Sequence, residues 1–346
     1  MITVLRSGVE FSFRHRAIRA LWVGVVGIAI AGAGQAQTVT LVGASQFNEN
    51  HPVTRTLLEF ERLVTECYSG DVTFDLHLNS ELGLEKDYFE NMSQGIAVDY
   101  AVVSPAAMST YSQTAPLMDM PFLFFSHNHF IEAISAGAFD PIAEDILEQN
   151  NVRIIGYAGG STRNIISRNS LTNLEQLRGL SIRITGWPFT RNVFAALGTI
   201  PISIPYNQLY ESIHEQTIQA ADIELSAIDY PNIYETAPHL LLTRHAFKTR
   251  PIAFSGSRYE ILEEKLQGCI LEAGEAAGEF GRELEISYEA NMIRLLEGNR
   301  SITIHELSET ERERMFEIAG PAKESTFYEI APRHIIQICA WPFWPC

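Results

Sequence analysis

The sequence predicts an α/β fold in two domains, and three observations carry that prediction. Apolar runs of strand length alternate with helical stretches along most of the chain, one stretch near residues 258–297 is too long a helix for a single small domain, and the ~310 residues beyond an N-terminal leader fit two domains of ~150 each. In order, residues 38–42 (TVTLV) read as a buried strand, followed by a loop with Asn48, Asn50 and Pro52 and a helix carrying Val53, Leu57, Phe60 and Val64 on one stripe. Ser69-Gly70-Asp71 is a turn, residues 72–78 alternate as a strand does, and Leu84, Tyr88 and Met92 recur at helical spacing before Gly95. Further strand-type runs fall at 99–104, 153–158, 164–167, 181–184, 200–204, 220–224 and 252–256. Strands separated by helices build parallel sheets covered on both faces, and ligands of such folds sit beyond the carboxyl ends of the strands. The helix-forming stretch 258–297 would reach ~60 Å unbroken. It either crosses between two lobes or breaks at Gly268, Gly274, Gly278 or Gly281, and a long helix bent near those glycines is the preferred reading.

Composition narrows the function classes. The chain has 346 residues, 25 Lys+Arg against 42 Asp+Glu, and 46% hydrophobic content, which excludes disordered and collagen-like classes. Residues 1–36 hold Arg6, Arg14, Arg16, Arg19 and one acid, Glu10, so their removal leaves 21 basic and 41 acidic residues. So acidic a body repels nucleic acid through its long-range field, although a local basic pocket still captures a small anion.

The leader itself reads as a cleaved secretory signal. Four arginines precede an uncharged run over 20–33, and Gly34-Gln35-Ala36 supplies the small residues of a cleavage site near Ala36. The run has 14 residues, three of them glycine, short of the roughly 18–20 that span a bilayer. Export permits disulfides without requiring them. Cys339 and Cys346 flank Ala-Trp-Pro-Phe-Trp-Pro in a tail over 331–346 and either close a small loop or belong to an unpaired aromatic tail, while Cys67 and Cys269 read as separate buried structural thiols.

Catalytic signatures are scarce: there is no Gly-x-Ser-x-Gly elbow, His-Glu-x-x-His, Walker loop or Cys-x-x-Cys, and no motif calls for a cofactor or a metal. His127-x-His129 follows Pro121-Phe-Leu-Phe-Phe125 and starts a helix, where that spacing turns the two rings apart. Two arginines stand out. Arg163 follows Gly159-Gly-Ser-Thr just before a strand, and Arg183 alternates with Ile182 and Ile184, which face the other way. A guanidinium presented off an apolar strand either captures a ligand carboxylate or phosphate through its two-pronged fork or closes an internal salt bridge.

Those residues fall in a pattern. Gly179-Leu-Ser-Ile-Arg183-Ile184, Leu197-Gly198-Thr-Ile-Pro201, Asn207-Gln-Leu-Tyr210 and Ala220-Ala-Asp-Ile-Glu224 come in that order, preceded by His51-Pro52, Leu82-Gly83-Leu84-Glu85, Gln94-Gly95 and Met120-Pro-Phe-Leu-Phe124. Over about residues 38–320 the chain resembles the solute-binding subunits of tripartite ATP-independent periplasmic (TRAP) transporters, of the dicarboxylate-binding type. The resemblance implies a two-lobed periplasmic binding protein fold with a long helix spanning both lobes. Lobe I would comprise 37–160 plus 250–289, and lobe II 161–249 plus 290–330. It implies capture of an organic-acid anion in the interlobe cleft by a monomer, delivery to the TRAP membrane permease, no enzymatic activity and a periplasmic location. By the same resemblance Arg183 pairs with the ligand carboxylate and Arg163 takes the second arginine's place. Tyr206 and Glu224 are the aromatic and acidic motif positions, and Asn48, Glu85 and Ser104 supply the contacts from lobe I. Two departures stand out: Leu225 occupies the place of an asparagine, and Ser104 that of the glutamate of sialic-acid binders. Both point to a less polar cleft and to a small mono- or dicarboxylate with an apolar portion. Trp187 either walls the pocket or packs against its helix. The alternatives are a secreted enzyme with Glu85 or Glu224 as general base, and a sensor or scavenger without a permease.

Overall fold

The strand–helix alternation reads out as one mixed sheet in the computed structural model, which describes residues 38–228, 232–298 and 301–330. The leader with its cleavage site and the tail with Cys339 and Cys346 lie outside the described residues. Strand β1 (Val39–Ala44) runs into α1 (Pro52–Cys67), whose first turn is capped by His51 Nδ1 accepting from the Val53 amide at 3.2 Å and fixed by Pro52. β2 (Val72–His77), α2 (Glu85–Gln94) and β3 (Tyr100–Val102) follow, α2 ending at Gly95 in the left-handed region (φ 69°). The connection onward carries α3 (Pro105–Met108), α4 (His127–Ser135) and α5 (Asp140–Asn150). β4 (Val152–Ser167) leads to β5 (Ser181–Ile184), α6 (Pro188–Ala196), β6 (Ile200–Ser203), α7 (Leu209–His214) and β7 (Ala220–Glu224). β8 (His239–Ser255), α8 (Gly256–Glu260), α9 (Glu264–Gly298), β9 (Thr303–Glu306) and α10 (Glu309–Ile330) complete the described chain.

The sheet order is β2-β1-β3-β8-β4-β7-β5-β6, with β9 also on β8. The two ends are parallel, as the alternation predicts: β1 pairs with β2 and β3, and β5 with β6 and β7. The middle corrects the expectation of a parallel sheet throughout. β4 and β8 are antiparallel partners from Val152↔Ser255 to Ser167↔His239, and each belongs to both ends of the sheet. The strands expected at 153–158 and 164–167 are therefore one, and 252–256 is only the end of another. Pairing survives the Gly159-Gly160 interruption because both glycines take positive φ (107° and 100°) and the register shifts between Gly159 and Thr162, a bulge that bends the strand.

Side chains alternate between four cores. In β3, Tyr100 and Val102 join Leu57 and Phe60 of α1 and Ile270 and Ala273 of α9, while Ala101 on the other face joins Phe89 and Met92 of α2 and Ile142 of α5. At the far end Ile182 and Ile184 pack with Phe194 of α6 and Met315 of α10, and Ala221 and Ile223 with Ile213 of α7 and Met292 and Leu296 of α9. Helix α9 thus begins in the core of one end and finishes in that of the other, ~50 Å apart at 1.5 Å per residue.

Three of the four glycines read as bend points, Gly274, Gly278 and Gly281, form a contact face, while Gly268 meets nothing. A Cβ on Gly274 would lie 2.4 Å from Ile155 O, on Gly278 2.8 Å from Tyr157 N, and on Gly281 2.6 Å from Ala158 Cβ. The cysteines correct a second expectation: Cys67 and Cys269 form a disulfide, with Cα atoms 5.6 Å apart, where α1 lies along α9. Partners 202 residues apart are joined by tertiary packing alone, which the spacing does not reveal. A native cross-link of this kind contributes roughly 2–5 kcal/mol.

The contact face gives a paired expectation. Gly278→Ala forces a methyl against the backbone of Tyr157, which cannot yield as a side chain would, and destabilises by about 1–3 kcal/mol. Gly268→Ala, with nothing within 4 Å, stabilises by about 0.5–1 kcal/mol through helix propensity. Urea unfolding of the two variants checks both; equal effects of one sign would refute the close-approach role.

Candidate functional site

Charged side chains collect where β4 and β8 cross between the two ends of the sheet. Around them the structure leaves a small open space, bounded by Arg163 of β4, Asp222 of β7, His245 and Lys248 of β8, Thr185 and Trp187 after β5, and Asp119 from the segment following α3. That position, past the carboxyl ends of the parallel strands β5 and β7, is the one expected for a ligand.

The two arginines have different partners. Arg163 donates from Nε to Asp222 Oδ1 at 2.6 Å and from Nη2 to the Asp222 carbonyl at 2.9 Å, so the internal salt bridge describes this residue. Arg183 donates from Nε to Ile204 O at 2.8 Å and from Nη1 to the same Asp222 carbonyl at 3.2 Å. Among the described residues no carboxylate forms an ion pair with it, although it is only 6% exposed. Burial, and then the neighbouring Arg163, lower its pKa to about 10, which leaves it charged at neutral pH. Ile182 and Ile184 sit in the core opposite, as the alternation predicts.

Glu224 is already paired. Its Oε2 accepts from Arg250 Nη2 at 2.7 Å and from Ser161 Oγ at 3.4 Å. Burial pushes this carboxyl up, but Arg250, Lys248 and Arg163 outweigh it and bring it down to about 2. Tyr206 neighbours Arg183 and donates its hydroxyl to Ala227 O at 2.9 Å. Of the seven residues expected to hold a ligand, only Arg163 borders the open space; Arg183, Tyr206, Glu224, Glu85, Ser104 and Asn48 do not. Glu85 accepts from Gln46 Nε2 at 3.0 Å and from the Ser104 amide at 2.9 Å, Ser104 caps α3, and Asn48 accepts from the Asn50 amide in an exposed turn. Trp187 meets both of its readings, since it borders the cleft and packs against Phe189 with centroids 4.5 Å apart. His127 and His129 part as expected, one edge-on to Phe247 and the other stacked on Phe125.

Asp119, Asp222, His245, Lys248 and Arg250 were not anticipated. Lys248 pairs with Asp119, which also accepts from the Thr249 amide at 2.8 Å. A signal existed: Lys248 and Arg250 stand two apart, on one face of a strand, had residues 239–251 been read as one. Asp222 lies inside the quoted Ala220–Glu224 motif.

A second, smaller space is bordered by His51, Ser161, Leu225, Glu285, Tyr288 and Glu289. Glu289 accepts from Thr162 N and Oγ1 at 2.5 and 2.6 Å, and Glu285 from Ser161 Oγ at 2.9 Å, so α9 grips the bulge of β4 through carboxylates. Glu285 Oε1 lies 3.7 Å from Arg250 Nε, and burial raises its pKa to about 7 against the pull of Arg250.

The sequence of residues 43–329 matches the family model for bacterial extracellular solute-binding protein, family 7. The chain belongs to that family. A solute-binding protein of Sulfitobacter sp. strain NAS-14.1 is 39% identical over 303 residues, covering 88% of this chain and 91% of the relative. A crystal structure of a TRAP periplasmic solute-binding protein from the same organism, with bound α-D-taluronate, superposes with a TM-score of 0.81 at 38% identity, over 87% of this chain and 97% of that one. One from Roseobacter denitrificans with bound L-galactonate, at 22% identity, shares the fold with a TM-score of 0.74 over 87% and 97% of the two chains. The two-lobed α/β architecture with a spanning helix is therefore that of this family, whose members bind solutes and serve TRAP transporters. Among the described residues no helix is long and apolar enough to cross a membrane, and no group of three or more His, Cys, Asp or Glu is arranged to hold a metal ion.

The raised Glu285 carboxyl makes stability depend on pH. Its folded-state pKa lies above the unfolded value, so its contribution is complete below about pH 4.5 and is lost as pH rises through about 7. Glu285→Gln, which cannot ionise, should gain roughly 1–3 kcal/mol on wild type between pH 5 and pH 8 in urea unfolding. An unchanged difference at the two pH values would refute the assignment.

Proposed function

We propose that this family 7 protein captures a hydroxylated organic acid of the sugar-acid class in the cleft beside Arg183 and delivers it to a TRAP permease. The observation that carries the reading is a buried guanidinium bonded, among the described residues, only to main-chain carbonyls, and linked to an open space through Arg163, with which it shares the carbonyl of Asp222. A charge in that setting gains most from an incoming carboxylate. The bound taluronate of the 38%-identical relative supports a sugar acid.

The case for an apolar ligand weakens on burial. Leu225, 1% exposed, borders the second space and not this cleft, Ser104 caps a helix, and beside Pro116, Pro121 and Trp187 the cleft presents Asp119, Thr185, Thr190, His245 and Lys248. A general-base role also loses support: Glu224, brought down to about 2 beside Arg250, is too weak a base near neutral pH, and Glu85 is engaged by Gln46 and Ser104. We accordingly read the chain as a monomeric, non-enzymatic binding protein of the periplasm, exported by a signal cleaved near Ala36. The lobes drawn at 37–160 with 250–289 and 161–249 with 290–330 would part within β4, β8 and α9, and the ligand would favour the closed form by touching both lobes. A scavenger lacking a permease would show the same site.

A thermal-shift screen of taluronate, galacturonate, galactonate and succinate tests the class. A ligand at 100 times its Kd adds ~2.7 kcal/mol. Calorimetry on Arg183→Met, with the fold checked by circular dichroism, should show a loss of about 30-fold to several thousand-fold. Unchanged affinity would remove Arg183 from the site.

A further inference from the structure

The Asp222 carboxylate has one oxygen in use and one to spare. Oδ1 takes Arg163 Nε at 2.6 Å and His245 Nε2 at 3.1 Å. Thr243 Oγ1 lies 2.8 Å from His245 Nδ1 and can donate to it, which puts the ring proton on Nε2, facing Asp222. Oδ2 is buried and meets no donor among the described residues, and Asp222, itself 0% exposed, borders the open cleft. A buried carboxylate oxygen without a donor is costly, and natural interiors rarely leave one unless a ligand or water completes it.

We propose that Asp222 is a specificity-determining residue of the cleft, whose Oδ2 accepts the hydroxyl one or two carbons from the bound carboxylate, so that the site selects hydroxy acids over their deoxy analogues. The proposal rests on the reading that a carboxylate binds beside Arg183, and deepens it.

Charge accounting places the two ligand groups. Arg163 is matched by Asp222, Lys248 by Asp119 and Arg250 by Glu224, which leaves Arg183 for the ligand's anionic end. Arg183 and Arg163 meet at the Asp222 main-chain carbonyl, so the carboxylate-seeking group and the spare acceptor belong to one residue's surroundings. A hydroxyl one or two carbons from the carboxylate is the donor that would bridge them. Burial pushes the Asp222 carboxyl up, but Arg163 and His245 more than offset this and hold it below the usual carboxylate range. The group is thus an acceptor at every working pH and has no proton to give. A keto or deoxy carbon in that place would leave Oδ2 without a donor, and a site built around a hydroxyl penalises the analogue lacking it.

The test compares parent and deoxy ligands by calorimetry: D-galacturonate with its 4-deoxy form, and L-galactonate with its 2-deoxy form. On wild type, loss of the hydroxyl should weaken binding about 10- to 100-fold, because the acceptor is charged. In Asp222→Asn the ratio should fall to about 2- to 10-fold, as for a neutral partner. The wild-type comparison needs no variant and so survives any folding defect in Asp222→Asn. Equal binding of parent and deoxy ligand by wild type overturns the proposal, with water completing Oδ2 instead. An Asp222→Asn variant that weakens both ligands by the same factor also overturns it, leaving Asp222 only to position Arg163. Binding of succinate by wild type but of neither hydroxylated parent overturns the hydroxyl and leaves the carboxylate reading standing. Failure of every acid removes both.

Discussion

A buried guanidinium must be met by an anion or by enough carbonyl oxygens to replace water, and this requirement organises the middle of the molecule. Arg163, Arg183, Lys248 and Arg250 are all at most 8% exposed. They lie on β4, β5 and β8, and the acids that meet them come from β7 and from the segment after α3. The partners are distributed so that, among the described residues, all but one of these cations have a carboxylate. The exception rests on two carbonyls, one of them shared with a neighbouring cation, an arrangement with attraction to spare for one more negative group.

The long elements hold this charge cluster between the two ends of the sheet. β4 and β8 are hydrogen-bonded to each other through the crossing, while the bulge at Gly159–Thr162 changes the direction of β4 without releasing it. Helix α9 lies so close to β4 just before that bulge that glycine fits at three contacts, and its Glu285 and Glu289 bind Ser161 and Thr162 in the bulge. The same carboxylate that steadies the bulge stands beside Arg250, which holds Glu224. A rotation of one end against the other therefore has to pass through a polar, hydrogen-bonded segment, where bonds exchange partners more readily than an interdigitated apolar core can slide.

Much of this was legible in the sequence, for local reasons. The stripe Val53, Leu57, Phe60, Val64 became the buried face of α1, and Arg183 stands opposite Ile182 and Ile184 because strand alternation is a property of the backbone. The long helix was visible because helix formers persisted beyond what a small domain uses. What escaped notice is non-local. β8 has no alternation to detect, since it is covered on both faces and its middle carries Lys248 and Arg250, whose charges are tolerated only because β7 and the loop after α3 bring acids to them. The Cys67–Cys269 link depends on α1 lying beside α9. Glu224 was legible as the last acid of a motif but not as the partner of Arg250, which stands 26 positions later.

The polarity of the cleft shows why position in a motif is weaker evidence than burial. Leu225 follows the motif acid and reads as an apolar wall for the ligand; the chain turns after β7 and packs the side chain with Ile213 and Ile233, at the edge of the second space and not of the cleft lined by Arg163. Ser104, read as a lost charge, spends its hydroxyl on the first turn of α3. Such a site need not attract its anion from afar. With 42 acids against 25 bases, the whole molecule presents a repelling field to an acid, screened beyond about 8–10 Å at physiological salt. On the proposed reading, recognition rests on short-range contacts near Arg183, where the dielectric is low and a single guanidinium outweighs a distant acidic surface.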